Sequence, residues 1–148
     1  VDPEDTIRRI VSRRGATDMV IPFFGGNDSR TLTRRLISRT FTFLTNLISG
    51  HRIRYYNGPV LHLRENVRFW RSETVGYGYQ AELICHLLNH GYTHEEVEVR
   101  NGDREWGTST AFGLGNWLSV ANSLAHILLR RITGAAYRLL SPDRRRRS

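Results

Sequence analysis

The stretch "EVEVRNGDREWGTST", residues 96–110, sets Arg104 three residues before Gly107 and five before Ser109, directly after an alternating strand pattern. Guanidinium forks match phosphate oxygens and glycine lets the backbone come close, so this loop suits an anionic, phosphate-like ligand. Upstream, Arg34 and Ser38 stand four apart, one helical turn, on a common face, with Arg30, Arg35 and Arg39 around them. His86 and His90 share that spacing and His94 follows beyond a turn, the spacing that a metal hydrolase's ligands take on a helix. There is no H-E-x-x-H, however, so these read first as incidental helix histidines.

These residues sit in a 148-residue chain that is 39% apolar, enough for one ordinary domain with a real core. All 22 basic residues are arginine and the net charge is +8, which favours nucleic acid, anionic lipid or phosphorylated ligands. A nucleic-acid module would stack bases on Tyr, Phe and Trp. No recognised fold signature accompanies the charge, and most aromatics fall on apolar faces, so nucleic acid is not taken as a partner. The single cysteine, Cys85, cannot form an internal disulfide. It reads as a small buried hydrophobe in a reducing, cytoplasmic setting. No run approaches the ~20 apolar residues of a membrane span, and no signal peptide opens the chain. Its start at Val1 reads as that of a fragment, and "RRRR" at 144–147 closes a basic tail expected to be solvated and disordered.

The elements that must position these groups alternate, which predicts an α/β fold. A helix led by Asp2 and Pro3 runs through "TIRRIVSRR" to a stop at Gly15, and "MVIPFF" follows as a short apolar strand. The loop "GGNDS" leads into a long amphipathic helix, "RTLTRRLISRTFTFLTNLIS", with Leu32, Leu36, Phe43 and Leu47 on one face and Gly50 as its stop. "RIRYY" and "VLHLR" read as extended segments around a turn at "NGP". A helical piece around "ENVRFW", a helix "YQAELICHLLNH" ending at Gly91, and a strand "EEVEVR" complete the series before the arginine loop. In the last helix, Leu114, Trp117, Leu118, Ala121, Leu124, Ala125 and Leu128 form one apolar stripe, with Asn116, Ser119, Asn122, Ser123 and His126 largely opposite. That stripe suits a membrane interface or packing on the domain's own sheet equally well.

Taken in order, "DPED", R-R-L-I-S-R, "YYNGPVLHLR", "GYGYQAELI" and "EVEVRNGDREWGTS", followed by an amphipathic helix, resemble the C-terminal half of family 2 glycosyltransferases. The dolichol-phosphate and polyprenyl-phosphate sugar transferases are the nearest in kind. The resemblance spans residues 1–131, with 132–148 left as the basic tail. It implies a GT-A-like fold whose N-terminal half binds the nucleotide-sugar and whose C-terminal half binds the acceptor. The D-x-D segment that holds a divalent metal, Mg or Mn, lies upstream of the part matched here. No metal role is carried onto Asp2, which reads as a helix cap.

By the same resemblance, Arg104 is the arginine that folds over the donor diphosphate, with Gly107 and Ser109 completing its loop; Thr110 stands where a lysine often follows. A forked cation there stabilises the charge on the departing nucleoside diphosphate. Arg34 and Ser38 are implied to contact the acceptor phosphate, and Asn57 and Gly58 to form the turn ahead of the acceptor site. Tyr55 stands where the family commonly carries aspartate. Glu82 occupies the place of a carboxylate near the acceptor and is the candidate base. The implied activity is inverting hexosyl transfer from a nucleotide-sugar to a polyprenyl phosphate or related lipid-side acceptor, with the isolated fragment inactive. The implied setting is peripheral, against an anionic membrane at its cytoplasmic face. The alternatives are a basic nucleic-acid-binding module and a non-catalytic membrane-surface module.

Overall fold

The computed structural model describes residues 3–26, 30–68, 78–99 and 114–140, which form a mixed α/β unit around a small three-stranded sheet. Helix α1 (Pro3–Val11) carries Glu4 and Asp5 in its first turn and Arg8 and Arg9 in its last, each sign at the helix end that favours it. The chain reverses at Gly15, whose φ of 81° belongs to the left-handed region. It then enters β1 (Met19–Phe24).

Strand β1 is central. It pairs antiparallel with β2 (Leu61–His62) through Met19 and Val20, and parallel with β3 (His94–Val99) along its whole length. Pro22 lies past the end of the β2 pairing, where a missing N–H costs nothing on that edge. Asp18 sets the register of β1 against β3: its carboxylate accepts from both the N–H and the hydroxyl of Thr93, each at 2.7 Å. The Thr93 N–H holds that carboxyl below its ordinary value. Of the two segments expected around "NGP", only Leu61–His62 joins the sheet, and 52–56 is irregular.

Both faces of β1 are covered, which explains its unbroken apolar run. Ile10 of α1 packs with Val20 and Val99 on one face. Met19 and Ile21 join the larger cluster on the other, with Phe41, Ile53, Tyr56, Leu83, Ile84, Leu87 and Ile127. Those partners come from α2 (Leu32–Ser49), the 53–56 segment, α4 (Tyr79–Asn89) and α5 (Leu114–Leu140). A short α3 (Arg64–Arg68) follows β2. Cys85 is buried in the same cluster, and burial pushes its thiol up to about 11, as befits an inert core residue.

Helix α2 begins at Thr31, whose hydroxyl accepts from the Arg34 N–H, and ends at Gly50 in the left-handed conformation. Its last carbonyls are closed from outside: Arg131 of α5 donates to the oxygens of Leu47 at 3.1 Å and Ile48 at 2.7 Å. A cation on a helix C-terminus is the favourable sign. Helix α5 continues to Leu140, past the boundary expected at 131, so the first part of the expected basic tail is helical. Residues 141–148 lie outside the described residues.

The two long helices turn mixed faces inward and leave much of their apolar stripes outward. On α5 the body receives Ser123, fully buried, with Ile127 and Leu124, while Leu118, Ala121, Ala125 and Leu128 of the apolar stripe are exposed. On α2 the buried residues are Phe41, Thr45 and Ser49, and Leu32, Leu36, Phe43 and Leu47 are exposed. The contact of α5 with α4 is tight at Gly78, where an added methyl would fall on the Ser123 hydroxyl and its Cβ. Gly78→Ala is therefore expected to cost about 1–3 kcal/mol by overpacking. A thermal melt should show a fall of several degrees in Tm.

A candidate anion-binding groove

The first half of α2 and the 53–56 segment enclose a groove of about 330 Å³ beside the end of β1. Four arginines line it: Arg30 just before the Thr31 cap, Arg35 and Arg39 on α2, and Arg54 across from them. Ser38, Thr42 and Asn46 continue the α2 wall, and Phe24, Phe43 and Tyr55 supply its apolar parts. The helical residues follow from periodicity, since 35, 38, 39, 42 and 46 are spaced three or four apart and share one face.

Asn46 builds the opposite wall. Its side-chain amide donates to the Ile53 carbonyl at 2.8 Å, while its oxygen accepts from the Ile53 N–H at 3.0 Å and from the Tyr56 hydroxyl at 2.8 Å. The 53–56 segment is thus fastened to α2 without a sheet ladder, placing Arg54 and Tyr55 on the groove. Arg54 is held in turn: its guanidinium lies 4.4 Å over the Phe23 ring, its Nε is 3.7 Å from Glu96, and its N–H donates to the other Glu96 oxygen at 2.6 Å. Arg30 stacks 4.5 Å over Phe24 and donates to the Tyr55 hydroxyl at 3.0 Å.

Arg35 differs from these two. Its Nε is buried without a hydrogen-bond partner in the structure. A buried donor left unmade costs about 1–3 kcal/mol, the expense a site bears when it is shaped for an acceptor-rich ligand.

The residues expected from sequence are distributed unevenly about this groove. Ser38 lines it, but Arg34 does not: it is exposed and about 100° round the helix from Arg35. Arg35 and Arg39, which sequence credits only with general positive field, take the lining positions. Gly58 is buried in its turn because an added Cβ would press on the ring and carbonyl of Pro22; Asn57 is exposed beside it. Glu82 is 1% exposed on α4, with its Oε1 3.8 Å from Nδ1 of His126 on α5, and is not among the groove-lining residues. Arg104, Gly107 and Ser109 lie outside the described residues. Arg54, Asn46 and Phe24 were missed. The only signal for the 54–55 wall is "RIRYY", whose arginine and aromatics suit an anion-facing segment.

The histidine pair does not favour a metal. The His86 and His90 rings are 4.3 Å apart, but Arg130 sits 3.4 Å from the His86 Nδ1. Burial, His90 and that guanidinium push the His86 pKa down to about 4. Among the described residues no three His, Cys, Asp or Glu side chains come together to hold a metal ion. The divalent ion that the resemblance implies belongs to the D-x-D segment upstream of the part matched here, and the residues present are not its ligands. Comparison with protein-family models, with curated proteins and with solved structures gives no match.

Proposed function

We propose that this chain forms the acceptor side of a GT-A-type sugar transferase, in which the arginine groove binds the phosphate of a polyprenyl phosphate. The reading is carried by four arginines on one small groove, with the Arg35 Nε buried and unmatched. A phosphate monoester supplies about −1.5 to −2 of charge and three acceptor oxygens, enough to engage several guanidinium forks at once.

The acceptor's own acidity simplifies the chemistry. With a second pKa of about 6, the attacking phosphate oxygen is largely ionised at neutral pH. It displaces the nucleoside diphosphate from the anomeric carbon, which takes the new C–O bond as the old one leaves with its electron pair, inverting the centre. No strong base is required, and Glu82, enclosed between α4 and α5, has the surroundings of a structural carboxylate. Arg104, with Gly107 and Ser109, belongs by resemblance to the departing diphosphate, where a positioned guanidinium lowers the barrier.

A lipid-linked acceptor also gives the outward apolar residues a purpose. Leu36, Phe43 and Leu47 on α2 and Leu118, Leu129 and Ile132 on α5 are all more than half exposed. Phe43 is shared between that surface and the groove. No helix among the described residues is long and apolar enough to cross a membrane. The proposed setting is thus peripheral, with these faces in an anionic membrane interface and the groove at headgroup level.

The test is a calorimetric titration of the protein with farnesyl phosphate and, separately, farnesol. The phosphate is expected to bind at least about tenfold tighter, since charge-assisted bonds are worth about 1.5–3 kcal/mol each. Added salt should weaken only the phosphate. Equal affinities for the two would refute the groove as a phosphate site.

A further inference from the structure

Arg30 stands just before the Thr31 cap of α2, and its guanidinium occupies a defined place on the groove. Aromatic contacts hold it there. Its Cζ lies 4.5 Å from the Phe24 centroid and 5.1 Å from that of Tyr55, and the two rings meet edge-to-face at 5.0 Å and 62°. The guanidinium donates to the Tyr55 hydroxyl at 3.0 Å. Tyr55 is itself fixed from behind, because its neighbours Ile53 and Tyr56 are bonded to Asn46 on α2.

The direction of the Arg30 bond matters. A guanidinium only donates, so the phenol oxygen accepts, and the single phenolic proton stays uncommitted in that contact. Tyr55 lines the groove. A hydroxyl that accepts from a cation is polarised and becomes a stronger donor to a second acceptor. Given the groove as a phosphate site, on which this inference rests, we infer that Tyr55 is an anion ligand in its own right. It donates its O–H to a phosphate oxygen while holding Arg30 for a second contact. An aspartate at this position would have presented a negative charge to the ligand. Tyrosine instead turns the position into a neutral donor that keeps the arginine in place.

The experiment is a double-mutant cycle on farnesyl phosphate binding by calorimetry, using Arg30→Ala, Tyr55→Phe and the pair. Tyr55→Phe keeps the ring, so its melting temperature should match that of the wild type while affinity falls about tenfold. Because the two groups act together, the double variant should lose clearly less than the product of the single losses. Tyr55→Leu, which also removes the ring, should lose more than Tyr55→Phe. Wild-type affinity in Tyr55→Phe, or losses that multiply fully, overturns the inference. Arg35→Ala separates the failures: if it weakens binding while Tyr55→Phe does not, the groove stands and the tyrosine ligand falls. If Arg35→Ala also binds normally, the phosphate reading itself is lost.

Discussion

Arg35→Ala is expected to weaken phosphate binding by about tenfold or more while leaving the fold as stable as before, or more stable. The two effects share a cause. In the free protein the Arg35 Nε is a buried donor without a partner, which costs about 1–3 kcal/mol, and alanine removes that expense. With ligand bound, the same donor meets an anionic oxygen, and alanine forfeits that contact. Arg35→Ala together with Arg39→Ala should lower affinity about a hundredfold or more. The slope of log affinity against log salt should fall with each charge removed. Arg35→Lys should recover little, since an ammonium lacks the planar fork. Arg34→Ala is the internal control: it removes an exposed arginine of equal charge that does not line the groove, and only a small salt-dependent loss is expected. Equal losses for Arg34→Ala and Arg35→Ala would mean that bulk charge binds the anion and the groove geometry does not.

That contrast marks where sequence stops being informative about the site. An arginine-rich helix start is plain from the letters, and so is its suitability for an anion. Choosing Arg35 and Arg39 over Arg34 requires knowing which way α2 is rotated, and its neighbours decide that. The far wall is harder still, because 52–56 has the composition of a strand yet is fastened through the Asn46 side chain to α2. Nothing in the local pattern announces a partner seven residues away. Glu82 is named from the resemblance alone, and the structure buries it at the contact of α4 with α5, with His126 beside it.

Elements whose ends carry their own chemistry were legible. Gly50 and Gly91 both adopt the left-handed conformation expected of a stop, and "MVIPFF" forms a central strand because its apolar run suits burial on both faces. Helix orientation was not legible, and the reason is chemical. Thr45 and Ser123 are fully buried, yet each hydroxyl donates to the carbonyl four residues earlier on its own helix, to Phe41 at 2.8 Å and Ser119 at 3.0 Å. A hydroxyl satisfied within its own helix can enter a core without any partner there. Hydropathy scores it as polar regardless, so the pattern alone does not choose between burying the apolar stripes of α2 and α5 and exposing them.

The exposed side of those helices carries the other large expectation. Leu118→Asp with Ile132→Asp on α5, and Leu36→Asp with Leu47→Asp on α2, should abolish binding to anionic phospholipid vesicles while Tm stays close to that of the wild type. All four positions are more than half exposed, so aspartate there buries no charge. Each leucine or isoleucine sunk in an interface contributes about 1.5–3 kcal/mol, and each interfacial arginine about 1 kcal/mol. Replacing four apolar anchors by anions removes the first contribution and opposes the second. Leu124→Asp and Ile127→Asp are the opposite control, since both side chains pack on the core cluster and a charge buried there should lower Tm sharply. Wild-type binding should exceed that to neutral vesicles and decline as salt shortens the Debye length to about 8 Å at physiological strength. Co-sedimentation with vesicles and a thermal melt on each variant read both properties. A folded four-site variant that still binds vesicles would detach these helices from the membrane, and a wild-type dimer lost in the same variant, without vesicle binding, would assign the surface to a second copy of the chain.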